Sequence, residues 1–495
     1  MFGNRTGAFR LKQRSILFRV GAIFLGLLPF LLFELVLHIV GWQQPNSIRD
    51  PYVGFTEIRP LFQVDDSGQN FEISQTRFPL FCPESFRVEK PDDEFRIFCV
   101  GGSTVQGRPF AIETSFSTWL ELRLRSMDQS RNWNAINCGG VSYASYRIAP
   151  ILEEIIEYQP DLIILYTGHN EFLEDRTYQA VKNTPAWIAR THDRLSILKS
   201  YSFVRNIFVN DEMANSNSVS SSEMPMEVEA RLDFRGGMAE YRRDDQWKLD
   251  VVRHFEHNLR RMIKAARQAG VPLMLCNPVC NLRDASPFKS QNSEGLSVKQ
   301  QARFDEIWDS LKLAKGEQPN LTEDLRQLKQ LVSIDPRHAG LQYRIGQTYQ
   351  QLNEFEKAKE HLVRAKEEDV CPLRMIEPMY DVIADLAREF DVPVVDVKAR
   401  FEARASDRIP GSESLVDHVH PSIHGHQLIS AWLMDEMIDQ GWVDVTSDVN
   451  AYENAFESHL ASLPFLYFEL GKDRLAGLKR WAEGRVTREK TDEER

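Results

Sequence analysis

Hydrophobic and polar positions change period several times along the chain, and each change predicts an element. Residues 20–40 (VGAIFLGLLPFLLFELVLHIV) form an almost unbroken apolar run, about the length that crosses a hydrocarbon core. Beyond residue 95, short apolar runs alternate with stretches of helical period. The runs Ile97 to Val100, Trp133 to Asn137, Asp161 to Thr167, Val271 to Asn277 and Pro393 to Val397 read as strands. The third, DLIILYT, is continuous rather than alternating, as expected of a strand covered on both faces. Helical period follows over Thr114 to Met127, at Ile148, Ile151, Leu152, Ile155 and Ile156, over Gln246 to Gln268, over Leu373 to Phe390, and up to Met437. Strands and helices in this alternation predict right-handed βαβ units. The fold class is then α/β, a three-layer α/β/α sandwich on a mainly parallel five-stranded sheet. In such sheets the working residues gather at the C-terminal ends of the strands.

Two segments interrupt the alternation. From Phe208 to Arg231 the chain is polar and rich in Ser, Asn and Met, and reads as a mobile excursion. From Lys299 to Lys366 it is charged, helical in period and without strand signals, and reads as an insertion in the sheet domain. Within it Ile345, Gly346, Tyr349, Phe355, Ala358, Leu362 and Ala365 fall at the offsets of a tetratricopeptide helix pair, which this stretch resembles, with a degenerate helix before it from Leu321 to Val332. Residues 321–366 are therefore a candidate protein-partner surface, with a helical lid or packing element as the plainer alternative. The expected organisation is 1–42 basic start and anchor, 43–91 irregular lead-in, 92–290 first part of the sheet domain and 291–370 helical insertion. The second part of the sheet domain follows at 371–442 and a helical tail at 443–495.

Charge sharpens the reading of the N-terminus. Arg5, Arg10, Lys12, Arg14 and Arg19 precede the apolar run without any acidic residue, and Trp42 follows it at an interfacial position. The positive-inside rule then keeps the start in the cytoplasm and exports the remainder. With no small-residue cleavage site after it, the run reads as a single-pass signal anchor. Glu34 and His38 lie toward its far end, where they can reach the interface. The net charge of −12 leaves no basic surplus for phosphates, which argues against a nucleic-acid partner. Six cysteines in 495 residues are too few for a disulfide scaffold; Cys99, Cys138 and Cys276 fall in or beside strands as small core hydrophobes, and Cys276 with Cys280 is the one pairing the spacing offers.

The chemistry-bearing residues sit where the strands end. FRIFCVGGSTVQG places Ser103 in a glycine turn between the first strand and a helix, with backbone N–H groups beside its hydroxyl. Asn170 lies at the end of the third strand, where its amide can donate to an oxyanion. Asp417 and His420, three apart in a loop before a helix, can supply an imidazole base and the carboxylate that orients it. His418, His420, His424 and His426 cluster beside Asp417, but His424 and His426 open a helix and no distant Cys/His set completes a shell, so no metal and no cofactor is expected.

The ordered set resembles the SGNH, or GDSL-type, hydrolase superfamily. Its four motifs correspond to Gly101-Gly102-Ser103-Thr104, Asn137-Cys138-Gly139-Gly140-Val141-Ser142, Gly168-His169-Asn170-Glu171 and Asp417-His418-Val419-His420. The resemblance covers roughly Phe95 to Pro278 and Leu373 to Gln440. It implies a flavodoxin-like sheet with Ser103 as nucleophile, His420 as base and Asp417 as its orienter. The oxyanion hole would combine the Ser103 amide, a second-motif amide (Ser142 by alignment, or Gly139 or Gly140 with a small shift) and Asn170. Gly102 replaces the family's aspartate, and Glu171 stands where Asp is usual. The implied activity is that of a membrane-anchored, exported esterase acting on an acyl ester linked to carbohydrate or lipid. Acyl transfer to a cell-surface glycan, and a non-catalytic scaffold that binds partners through the insertion, are the alternatives.

Overall fold

The computed structural model describes residues 25–26, 28–40, 60–174, 199–200, 203, 230–313, 320–445 and 451–484. The chain divides into two compact units, residues 1–57 with 177–224 and residues 58–176 with 225–495. In the smaller unit a helix covers 28–39. Glu34, the acidic residue in its apolar sequence, accepts from the Lys199 and Ser200 backbone N–H groups (2.9 and 2.7 Å), and Phe33 meets Phe203 edge to face at 5.4 Å. Among the described residues no helix is long and apolar enough to cross a membrane. Residues 20–24 and 27 of the expected span lie outside the described residues, as does nearly all of the polar excursion from 208 to 231.

The larger unit is built on five parallel strands: β4 (Glu94–Gly101), β5 (Asn132–Gly139), β6 (Leu162–Tyr166), β7 (Leu273–Cys276) and β8 (Val394–Val395). Their order is β5-β4-β6-β7-β8. The first strand of the sheet thus lies inside the second, and the order in which strands are added switches sides between β4 and β6, as in flavodoxin-like sheets. Phe98 pairs with Ile136 on one side and Ile163 on the other, so the centre is apolar and every side chain of β4 is buried. Ile97, Cys99, Leu162, Ile164 and Met274 face one layer, with Phe116, Leu120 and Leu124 of helix α2 (Phe116–Met127) and Ile429 and Leu433 of helix α11 (Ile423–Asp439). Helices α3 (Ser145–Ile155), α4 (Asp245–Gln268) and α9 (Glu377–Phe390) pack in series as the other layer.

The described part of the stretch expected to be an irregular lead-in, residues 60–91, carries a second sheet instead. Strands β1 (Phe62–Val64), β2 (Asn70–Ile73) and β3 (Ser85–Arg87) pair antiparallel, with Phe62 opposite Ile73 and Phe71 opposite Phe86. Phe62 and Phe86 pack edge to face on Phe98 at 6.4 and 5.3 Å, closing over the large sheet. Between β7 and α9, four helices are found among the described residues: α5 (Val298–Leu313), α6 (Leu321–Ile334), α7 (Ala339–Gln351) and α8 (Phe355–Glu367). They share their own core of Phe304, Leu328, Leu331, Leu341, Ile345 and Leu362. Cys276 and Cys280 are both free and buried, so the pairing their spacing offered is not made.

β5 ends the sheet, and its outward amides would be open to another strand. Two carboxylates take them: Glu121 accepts from Ala135 N–H (2.7 Å) and Glu84 from Asn137 N–H (3.2 Å). Burial, with the neighbouring Glu121 and Glu113 charges, pushes Glu84 from an ordinary 4.5 up to about 7. A carboxyl raised by folding adds stability that is present in full below its unfolded value and is lost as pH climbs through its folded value. Glu84→Gln keeps an acceptor for Asn137 but cannot ionise. Its stability relative to the unsubstituted chain should therefore improve by about 2–3 kcal/mol between pH 5 and pH 8. Denaturant titrations of both chains at the two pH values check this; an equal difference at both would rule out ionisation of Glu84 in the fold.

Candidate active site

Three loops at the C-terminal ends of β4, β5 and β6 and one loop before α11 converge on a single cavity. Ser103 opens a one-turn helix, α1 (Ser103–Gln106), immediately after β4, with Gly102 as its extended N-cap. The turn is braced from below: the Val105 carbonyl accepts from Ser115 Oγ (2.6 Å) and from Asn137 Nδ2 (2.7 Å). Asn137 is thereby the link between the second motif and the serine turn. A Cβ at Gly102 would lie 2.6 Å from Asn170 Nδ2, so this turn places glycine where any larger residue would displace that amide.

The Asp417–His420 segment is a tight loop closed by Val416 N–H donating to the His420 carbonyl (2.9 Å). Asp417 Oδ1 accepts from Val419 N–H and His420 N–H, both at 2.8 Å, which leaves Oδ2 for the ring. His420 Nδ1 lies 2.7 Å from Asp417 Oδ2, and His420 Nε2 lies 2.8 Å from Ser103 Oγ. Asp417 is buried, which alone would raise its carboxyl; the facing His420 and His418 and the two amide donors outweigh that and hold it well below the usual carboxylate range. With an ionised acceptor at Nδ1, the imidazole proton belongs there, and Nε2 is left to accept from the serine hydroxyl. Sequence spacing thus brought together three residues that lie up to 317 positions apart.

The other histidines of the cluster diverge. His418 packs edge to face on Phe288 at 4.9 Å, and burial pushes it down to about 4 against the pull of Asp417. His426 accepts from Phe116 N–H through Nδ1 (3.2 Å) and is pushed down by burial to about 3. His424 is exposed at the start of α11. His169 of the third motif accepts from Met375 N–H (3.2 Å) and burial lowers it to about 3. Each imidazole therefore has a different neighbourhood, and His420 alone among them reaches Ser103.

The donors expected for an oxyanion separate clearly. Asn170 donates one amide hydrogen to the Tyr143 carbonyl (3.0 Å), which fixes its side chain and leaves the other hydrogen to donate in the cavity that Ser103 also lines. Ser142 lines the same cavity with a left-handed backbone (φ 63°), and its N–H has no partner among the described residues. Gly139 must be set aside as a donor: its N–H goes to Asn137 Oδ1 (3.0 Å), and it abuts Gln106 so closely that a Cβ would meet the Gln106 nitrogen at 2.2 Å. Gly140 N–H is likewise taken, by the Gly101 carbonyl at 3.0 Å. Glu171, in place of aspartate, accepts from Ser145 N–H (2.6 Å) and Ser145 Oγ (3.0 Å), so its longer side chain ties the third motif to the first turn of α3.

The cavity has a volume of about 380 Å³, within the range of small-molecule sites. One wall comes from the helical tail, which carries none of the four motifs. Helix α13 (Phe465–Ala482) contributes Arg474, Gly477, Leu478 and Trp481, the i, i+3, i+4 and i+7 positions of one face. It is docked through Tyr467, whose hydroxyl accepts from Ala111 N–H (3.1 Å) and lies 2.8 Å from Thr114 Oγ1. Arg108 and Leu173 complete the rim. An amphipathic face in a helical tail does not by itself tell which surface it will cover.

No family model matches this chain, and no curated protein matches it. Among solved structures it is similar to a lipase/acylhydrolase from Enterococcus faecalis (12% identity, TM-score 0.31, 71% of this chain and 99% of that one). It is also similar to an alpha/beta hydrolase enzyme from the metagenome of Lake Arreo, Spain (11%, TM-score 0.30, 70% and 96%). A third is a catalytic mutant of an acetylxylan esterase from Geobacillus stearothermophilus (12%, TM-score 0.31, 71% and 96%). Similarity at this level says nothing of this chain's own chemistry.

Proposed function

We propose that this chain is a serine hydrolase of the esterase type, with the four-motif site of SGNH hydrolases, working through an acyl-enzyme. The observation that carries the reading is the continuous relay from Asp417 Oδ2 to His420 Nδ1 (2.7 Å) and from His420 Nε2 to Ser103 Oγ (2.8 Å). Ser103 Oγ attacks the ester carbonyl carbon while His420 Nε2 takes its proton; Asp417 holds the ring and stabilises the imidazolium. The carbonyl oxygen, now anionic, is met by the Ser103 and Ser142 N–H groups and by Asn170 Nδ2. His420 returns the proton to the leaving alcohol as the C–O bond breaks. Water, activated by the same imidazole, then releases the acid and regenerates Ser103.

The N-terminal segment fits a single-pass anchor with the catalytic unit outside the cytoplasm. In support, Leu25, Phe30, Ile39 and Val40 expose 66–76% of their surfaces, an apolar display that water would not favour. Substrates at the cell surface follow from that location.

A fluorophosphonate ester tests the relay on the full chain in detergent. It should label Ser103, found by mass spectrometry of the peptide, and labelling should vanish in His420→Ala and persist with a chelator. Labelling that is unaffected by His420→Ala, or that falls on another serine, would overturn the proposed roles.

A further inference from the structure

Two arginines on the rim of the Ser103 cavity are not used by the relay. Arg108 follows α1 and Arg474 projects from α13, and both line the cavity. Each makes a single described hydrogen bond to a neutral acceptor: Arg108 Nε to Gln106 Oε1 (3.1 Å) and Arg474 Nη1 to the Phe110 carbonyl (3.0 Å). Those bonds fix the two side chains and leave most of the guanidinium donors free. Neither arginine pairs with a carboxylate among the described residues, in a fold where Arg147, Arg261 and Arg96 are all held by glutamates at 2.6–2.8 Å. Among the described residues the carboxylate on the cavity wall is Asp233, which accepts from Trp481 Nε1 at 2.9 Å. Burial and, after it, the neighbouring Arg474 charge push the Arg108 guanidinium below its ordinary value.

Arg474 is exposed and Arg108 half-buried, so the two charges cost little in water and set a locally positive rim on a chain of net charge −12. The supports are built rather than incidental. Gln106, which orients Arg108, donates to the Leu80 carbonyl at 2.9 Å, and α13 carries Arg474 on the same face as Trp481. We infer that Arg108 and Arg474 form an anion subsite beside Ser103, so that the substrate is an ester carrying a carboxylate, phosphate or sulfate group close to the scissile carbonyl. This rests on the esterase reading for the ester and on the two arginines for the charge. Guanidinium groups suit such oxyanions because their N–H donors are planar and pair with two oxygens at once.

Matched ester pairs test it on the full chain in detergent. On the alcohol side, 4-acetoxybenzoate is compared with its methyl ester; on the acyl side, mono-p-nitrophenyl adipate is compared with its methyl ester. In at least one pair the charged member should be preferred in kcat/KM by about tenfold or more, and the pair that responds tells which side of the ester carries the anion. That preference should fall about tenfold in Arg474→Gln and in Arg108→Gln, fall with rising salt, and be partly restored in Arg474→Lys. A ratio near one for both pairs, or a ratio unmoved by either glutamine, overturns the subsite. If no ester is turned over faster than by Ser103→Ala, the esterase reading has failed instead. Calorimetric binding of 4-acetoxybenzoate and monoadipate esters to Ser103→Ala then decides the subsite alone. Charge-dependent binding that is lost in Ser103→Ala/Arg474→Gln upholds it, and binding indifferent to charge or to Arg474 ends it.

Discussion

Ser103→Ala is expected to lower kcat/KM toward a small activated ester by about 10⁴–10⁶-fold, and Asp417→Asn by about 10⁴-fold, with both variants folded. The serine change removes the nucleophile but little packing, because Ser103 is only partly buried and its turn is held by Ser115 and Asn137 through the Val105 carbonyl. The aspartate change is more discriminating. An asparagine at 417 keeps an oxygen for the Val419 and His420 N–H groups, so the loop stays closed. Its NH₂ then faces His420 Nδ1, which must become the acceptor. The ring proton moves to Nε2, and the base facing Ser103 is gone. A steady-state assay with circular dichroism on each variant reads both halves of the expectation. Wild-type-like turnover by Asp417→Asn would mean that His420 is oriented by something else.

The centre of the sheet was legible because β4, β6 and β7 carry apolar runs, and a strand covered on both faces leaves no room for alternation. The second sheet was not, since β1, β2 and β3 are three or four residues long and too short to establish a period. What holds them is Phe62 and Phe86 against Phe98, a contact between segments that only the folded chain brings together. Within the site, Ser103, Asp417 and His420 could be read from side-chain type and spacing because their chemistry resides in the side chain. The second-motif donor could not. A backbone N–H is the same at Gly139, Gly140 and Ser142, and what separates them is whether Asn137 Oδ1 or the Gly101 carbonyl already holds it. Arg474 and Trp481 escaped for a related reason: an amphipathic face announces that something covers it, never what.

Asn170→Ala should cost about 10²–10³-fold in kcat with KM changed only a few fold, the signature of a donor that acts on charge developing in the transition state. Loss confined to KM would instead make Asn170 a ground-state contact. Gly102→Ala probes the same donor without removing it. A Cβ at 102 would sit 2.6 Å from Asn170 Nδ2, closer than any real contact, and Asn170 is also tied to the Tyr143 carbonyl at 3.0 Å. The amide must rotate away, so Gly102→Ala should lower kcat by about 10–10²-fold although it adds a single methyl group. If that loss runs through Asn170, the two effects share one origin and cannot add. The double variant Gly102→Ala/Asn170→Ala should then be no slower than Asn170→Ala alone. Additive losses would place the effect of Gly102 in the geometry of the Ser103 turn, and a glycine in the first motif would be explained by the nucleophile rather than by the oxyanion donor.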